Sequence, residues 1–345
     1  MASNRSIPQG RLQEHTIPPD TVPSVVFGVL ILTINGCVVL LIFWYPKLRT
    51  TSNIILASLA VSDFLVGVIG IPLLVVCSST FFSPICVTSS TFFTLTSIST
   101  VLHITMMTCD RFIYIRWALR YNDIVQHGRV VVGLCVTWFI SLTSLVRLHW
   151  TLNVNIITAK EDLARVQEKE TMFSSCNFIV FFFIPLMVMV FLDVRMLLLL
   201  RWQCKRIARE NLPAEFLKRE KKMQKRQRRA VFTCVILLIL FIIFWLPFFI
   251  LELIQHYFGD QFGAPKEVTI TIYYLRLFTS LFNPIIYTLR KPDLKKAARG
   301  IYRKVFPCHE GIIRGKEGTS SHALDLDNFQ PQCETVPLRD VHEGS

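Results

Sequence analysis

Three groups of charged side chains inside long apolar runs carry the chemistry legible in this sequence, because a charge in hydrocarbon costs several kcal/mol unless it is satisfied. Asp63 lies midway along one apolar run, and Asn35, Thr100, Ser280 and Asn283 can converge on it from three others. A carboxylate among neutral oxygens in a wet cavity suits a small hard cation such as sodium. The alternative is a protonated Asp63 that only hydrogen-bonds between helices. Asp110 and Arg111 close the third apolar run. Adjacent opposite charges at a membrane boundary hold each other at rest, and breaking that bond frees Arg111 to meet backbone carbonyls of a partner peptide; a snorkelling Arg beside its counter-ion is the plainer reading. Arg276 precedes Asn283 by seven residues, two turns along one helix face, so both point into the same interior. There Arg276 either pairs with Glu252 or receives a ligand's carboxylate or phosphate through its planar fork. His103 reads as a satisfied interior histidine rather than a proton sensor.

Rigid membrane-embedded elements must position these groups, and the composition provides them. The chain has 345 residues, is 52% hydrophobic and only 18% charged, with 27 Phe; soluble domains carry roughly 25% charged residues. Crossing about 30 Å of hydrocarbon takes roughly 20 helical residues. Seven stretches suffice: 22–45, 53–77, 86–115, 128–148, 172–200, 228–257 and 268–289. The expected fold is an all-α membrane protein, a seven-helix bundle. Residues 1–21 form an outer N-terminus, 22–305 the membrane domain with a short amphipathic helix at 292–305, and 306–345 a disordered tail.

The net charge of +13 does not point to nucleic acid, because the positives cluster between apolar blocks, chiefly at 195–229 and 290–304. That bias puts the N-terminus outside and the C-terminus inside, as does the sequon at Asn4. The N-terminus has no cleavable signal pattern, so the first span is expected to direct insertion. The 201–229 segment mixes Lys and Arg with Leu212, Phe216 and Leu217; it is expected to extend the fifth and sixth helices into the cytosol, and its positives suit acidic partner surfaces and anionic lipid. The ten cysteines form no metal-binding cluster. Without a Gly-rich phosphate loop or catalytic carboxylate pair, nothing indicates an enzyme. A transporter or channel would show internal repeats or paired broken helices, and neither is visible.

Ordered motifs run along the spans: Asn35; the LASLAVSD segment ending in Asp63; Cys86, 25 positions before Arg111; Asp110-Arg111-Phe112; Trp138; Pro185; FIIFWLP with Trp245 and Pro247; and Asn283-Pro284-Ile285-Ile286-Tyr287. Over 22–305 the chain resembles the class A, rhodopsin-like G-protein-coupled receptors. That resemblance implies a plasma-membrane receptor with Arg111 engaging a heterotrimeric G protein and Tyr287 swinging inward on activation. It also implies that Trp245 rocks beneath a small extracellular ligand over a repacking layer of Pro185, Val101 and Phe241, and that a receptor kinase and arrestin act on the tail at Thr319, Ser320, Ser321 and Thr335. Cys308 is the expected palmitoylation site. A receptor that signals constitutively or dimerises without its own agonist is the alternative.

Within that class, IRWALRYNDIV, LVGVIGIP and Asn177-Phe178 are similar to the adenosine branch. The pocket departs from it, with Glu252 where that branch has Asn and Arg276-Leu277 where it has Ser-His. Phe93 stands where amine receptors place Asp, and Leu277 where opsins place the retinal Lys. Phe93, Asn177, Trp245, Phe248, Phe249 and Tyr273 are expected to line the pocket around Glu252 and Arg276. Gln227 stands where many members have an acidic partner for Arg111, and Asp193, at the usual Tyr site of the fifth span, is a second expected partner. The 149–171 loop lacks Cys, so Cys86 pairs with Cys176 or Cys77, or remains free.

Overall fold

The computed structural model describes residues 21–80, 83–152, 160–209, 213–258, 265–290, 294–297 and 300. Asn4, Cys308 and the four tail hydroxyl residues lie outside these, as do the side chain of Tyr287 and most of the 292–305 helix. The described residues form an all-α bundle of seven long helices. In chain order these are α1 (Thr21–Trp44), α2 (Thr51–Thr80), α3 (Ser83–Arg116), α4 (His127–Thr151), α5 (Lys160–Asn177, continuing through Phe178–Phe183 into Ile184–Arg209), α6 (Ala214–Phe258) and α7 (Lys266–Arg290). Six are both long and apolar enough to cross a membrane. The seventh, α7, has 25 residues and spans about 37 Å at 1.5 Å per residue, but it carries Arg276, Ser280 and Asn283.

Local sequence explains the ends and irregularities. Pro213 and Pro265 stand immediately before α6 and α7, where the missing N–H is no loss, and their carbonyls accept from Leu217 and Val268. A π-helical turn at Val66–Gly70 runs into Pro72, and another at Phe178–Phe183 precedes Pro185; proline removes a helical donor, and a widened turn re-routes the ladder around it. Hydroxyls of Thr33, Thr88, Thr105, Thr137 and Ser141 donate to carbonyls four residues earlier, as side-chain donors without water must.

One boundary differs from the sequence reading. Much of the expected 149–171 loop is helix, because α5 begins at Lys160; KEDLARVQEKETM is rich in strong helix formers and lacks Gly and Pro. At the other end α5 runs on to Arg209 and α6 starts at Ala214, so the basic segment extends the fifth and sixth helices as expected.

α3 is the central post, packing on α2, α4, α5 and α6, while α7 closes the ring against α1 and α6. Leu59, Val101, Ile104, Phe182, Phe241 and Trp245 form the middle of one core cluster. Gly67 is required where α1 meets α2, since a Cβ there would lie 2.6 Å from the Leu32 side chain. The outer surface exposes Val29, Phe43, Phe139, Phe183, Phe191 and Ile243, an apolar girdle that only lipid can solvate. The chain is a multi-pass membrane protein.

Candidate ligand cavity and signalling switch

Between α3, α5 and α6 lies a small cavity of about 20 Å³, lined by Thr94, Ser97, Ile98, Val101, Asn177, Phe181, Phe248, Phe249 and Glu252. Of the expected pocket residues, Asn177, Phe248, Phe249 and Glu252 line it. Phe93, Trp245, Tyr273 and Arg276 form an adjoining layer behind Ser97 and Phe248. Arg276 donates to the Phe93 carbonyl and to Ser97 Oγ, each at 2.5 Å. Its guanidinium also lies 4.4 Å from the Phe248 ring centre, 5.5 Å from that of Phe93 and 5.6 Å from that of Trp245, a three-sided cation–π nest.

The expected direct Arg276–Glu252 pair does not form. Glu252 instead accepts from the Ser174 hydroxyl at 3.1 Å, and its charge acts on Arg276 from a distance. The α3 backbone wins because Phe93 O and Ser97 Oγ lie directly across from α7. Around this layer, Asn177 Nδ2, Tyr273 Oη and Trp245 Nε1 are buried without a hydrogen-bond partner among the described residues.

The outer end of the bundle is fastened by groups the sequence reading missed. Arg147, at the end of α4, bonds Glu170 of α5 through Nε at 2.9 Å and Nη2 at 2.7 Å, and reaches Ser90 of α3 through Nη1 at 2.5 Å. Trp150 Nε1 donates to the other Glu170 oxygen at 2.6 Å. Arg147 is 6% and Glu170 8% exposed. A charge such as Arg147 inside an apolar span was the available signal. Cys86 is bonded to Cys77 of α2, and Cys176 is a free, exposed thiol. A hairpin of α2 and α3 is thereby tied together, while the α5 start is tied by Arg147 and Glu170.

Midway down, Ser280 Oγ donates to Asp63 Oδ1 at 2.7 Å and Asn283 Nδ2 to Oδ2 at 3.3 Å. Asn35 joins through the Ser280 carbonyl at 3.0 Å, and its own Oδ1 is buried without a partner among the described residues. A carboxylate, an amide oxygen and a hydroxyl are donors of the kind a small hard cation takes. Thr100 is buried but makes no hydrogen bond to Asp63 among the described residues. His103 is fully occupied: Nδ1–H donates to the Ser99 carbonyl at 2.7 Å, so Nε2 accepts from Ser58 Oγ at 2.8 Å, which in turn accepts from Trp138 Nε1 at 3.0 Å.

Val101, Phe241, Trp245 and Pro185 are all buried. Phe182 stacks on Phe241 at 5.4 Å and Phe241 lies 6.4 Å from Trp245, an aromatic column from cavity to inner half. Pro247 lies within α6 just past Trp245, and Pro284 within α7 beside Asn283.

At the inner end Arg111 Nη2 lies 3.5 Å from Asp110 Oδ2 and donates to Ser52 of α2. Tyr121, which opens the short helix Tyr121–Ile124 after α3, donates to Asp110 Oδ1 at 2.6 Å. Burial, then the charge of Asp110, pushes the Tyr121 hydroxyl up to about 12, so it stays a donor. Phe112 packs edge-to-face on Trp117 at 6.0 Å, turned away from this cluster. The expected Asp193–Arg111 contact is absent: both Asp193 oxygens are buried without a partner among the described residues, because Arg111 is turned toward α2.

A model of the 7 transmembrane receptor (rhodopsin family) matches residues 34–287, more than half of the chain. The chain belongs to the rhodopsin family of seven-transmembrane receptors. As a receptor of that family it is not an enzyme. It is similar to the histamine H2 receptor of Cavia porcellus, 26% identical over 349 residues, covering 97% of this chain and 92% of that receptor. The Homo sapiens histamine H2 receptor is 28% identical over 333 residues, 92% of this chain and 89% of its own. The trace amine-associated receptor 9 of Mus musculus is 29% identical over 308 residues, 82% of this chain and 86% of its own. The receptor is thus related to amine receptors over most of its length.

Proposed function

We propose that this receptor, N-terminus outward in the plasma membrane, binds a small ligand carrying an anionic group beside Arg276. Binding releases Arg111 at the opposite end to engage a heterotrimeric G protein. The observation that carries the ligand reading is the donor-rich layer at Arg276, a guanidinium held inside the bundle, with Asn177 Nδ2, Tyr273 Oη and Trp245 Nε1 buried without acceptors among the described residues. Buried donors left unpaired cost about 1–3 kcal/mol each, so an oxyanion is their natural complement. Ligand contact with Phe248 and Phe249 reaches Trp245 and Phe241, and the aromatic column passes the change inward. The ligand and the G protein bias the same two-state bundle. Sodium at Asp63 would favour one of its states. Receptor kinase and arrestin act on the tail, and lipid surrounds the bundle.

A second reading draws on the relatives, whose names state histamine and trace amines as ligands. Phe93 occupies the position where amine receptors hold the counter-ion, yet Glu252 lines the cavity and offers a carboxylate on α6. A G-protein activation panel of acids, amines, nucleosides and peptides on the parent and on Arg276→Gln decides between them. An anionic agonist is expected to lose about tenfold to a hundredfold in potency on the variant. Equal potency would discard the anionic reading, and an amine agonist insensitive to Arg276→Gln would favour the second.

A further inference from the structure

One guanidinium joins three helices in the outer half of the bundle. Arg276 of α7 donates to the Phe93 carbonyl and to Ser97 Oγ of α3. It also lies 4.4 Å from the Phe248 ring centre and 5.6 Å from that of Trp245, both on α6. Trp245 is 2% exposed, and its Nε1 has no hydrogen-bond partner among the described residues. Ring contacts therefore set the position of its indole, through Phe241, Phe248 and Phe249 beside it and the Arg276 cation over it. A cation–π contact away from water is stronger than one at a surface, so Arg276 fixes the ring more firmly than apolar neighbours alone. Trp245 and Phe248 also flank Pro247, which lies inside α6. Proline lacks the N–H that would bond the preceding turn, so the helix bends most easily there. Inward of that point Val231 and Cys234 of α6 pack with Ile115 of α3 and with Met196 and Leu200 of α5.

We infer that Arg276 is an internal brace on α6. While its guanidinium lies on Trp245 and Phe248, α6 is pinned to α3 and α7 beside Pro247, and its inner half stays closed on Ile115 and Met196. Moving the guanidinium away frees Trp245, and α6 pivots at Pro247 to open the inner end. The inference rests on the two-state bundle of the proposed function and adds the restraint that holds one state; it requires no ligand. Arginine suits the task because its planar fork bonds oxygen acceptors while the same delocalised cation covers aromatic rings. An apolar side chain at this position would pack against α6 but leave the α3 carbonyl and hydroxyl unbridged.

The thiol of Cys234, 3% exposed within the inner contact, reports this opening without any G protein. Full-length receptor in lipid, free of ligand, is treated with N-ethylmaleimide, and each cysteine is followed by mass spectrometry. Arg276→Gln is expected to raise the Cys234 rate about tenfold, with Cys176, an exposed thiol near the cavity end, unchanged. Phe248→Leu removes the nearest ring but keeps the charge; it is expected to raise the rate about threefold, and it carries the test should Arg276→Gln fail to fold. Glu170→Ala controls for general loosening, since it weakens the outer end without touching Trp245, and should leave Cys234 near the parent rate. An unchanged Cys234 rate in Arg276→Gln, or in Phe248→Leu where that variant stands in, overturns the brace. An equal rise in Glu170→Ala overturns it too. Ligand-free nucleotide exchange on a purified G protein is the second readout and should rise together with Cys234 labelling. Labelling that rises without exchange upholds the brace and counts against the coupling of the inner end to a G protein.

Discussion

Two ion pairs, one toward each end of the bundle, are held very differently. Arg147 and Glu170 meet through two bonds of 2.7 and 2.9 Å, and Trp150 and Ser90 take up further atoms of the pair. Asp110 and Arg111 approach only to 3.5 Å, with Asp110 shared with Tyr121 and Arg111 shared with Ser52. The Arg111 side chain is 25% exposed, against 7% for Arg147. A buried pair with its groups satisfied has one arrangement and resists change, because separating it strands a charge. A pair whose members are each divided between partners, with its arginine partly reachable by water, has several arrangements close in energy. That is what a two-state element requires. On the proposed function, the outer pair acts as a clamp and the inner pair as a latch.

The largest effect should come from breaking the clamp. Glu170→Ala leaves Arg147 buried without its carboxylate and is expected to destabilise the receptor by about 3–5 kcal/mol, read as a lowered unfolding midpoint and reduced surface display. An unchanged midpoint would show that the outer pair holds nothing. Next in size is Asp193, a buried carboxylate that neither pair uses. Asp193→Leu is expected to stabilise the fold by about 1–3 kcal/mol, because it removes a buried polar group without a partner among the described residues. A destabilised variant would reveal a contact that forms in another state. Smaller again is Tyr121→Phe, which frees one Asp110 oxygen. Ligand-free nucleotide exchange should change by about threefold with the unfolding midpoint nearly constant, since one hydrogen bond is worth about 0.5–1.5 kcal/mol. If instead the midpoint fell as far as in Glu170→Ala, the distinction between clamp and latch would collapse.

These differences also explain what the sequence could reveal. The latch was legible because its members are adjacent, Asp110 beside Arg111, and the Asp63 cluster because Ser280 and Asn283 lie three apart on one face of α7. The clamp was not: Arg147 and Glu170 are 23 residues apart and meet only because α5 begins earlier than its apolar stretch suggests. Helical periodicity set Arg276 on the same face of α7 as Asn283, but periodicity says nothing about distance across the bundle. Its partners turned out to be Phe93 O and Ser97 rather than Glu252. Side-chain direction also decided Asp193, which sits on the helix next to Arg111 while Arg111 turns toward Ser52.

The most direct test of the latch is nucleotide exchange on a purified G protein by the receptor reconstituted in lipid, parent against Arg111→Ala at equal receptor density. The variant should bind and unfold as the parent does yet exchange nucleotide no faster than receptor-free membranes. Exchange at the parent rate would contradict the account.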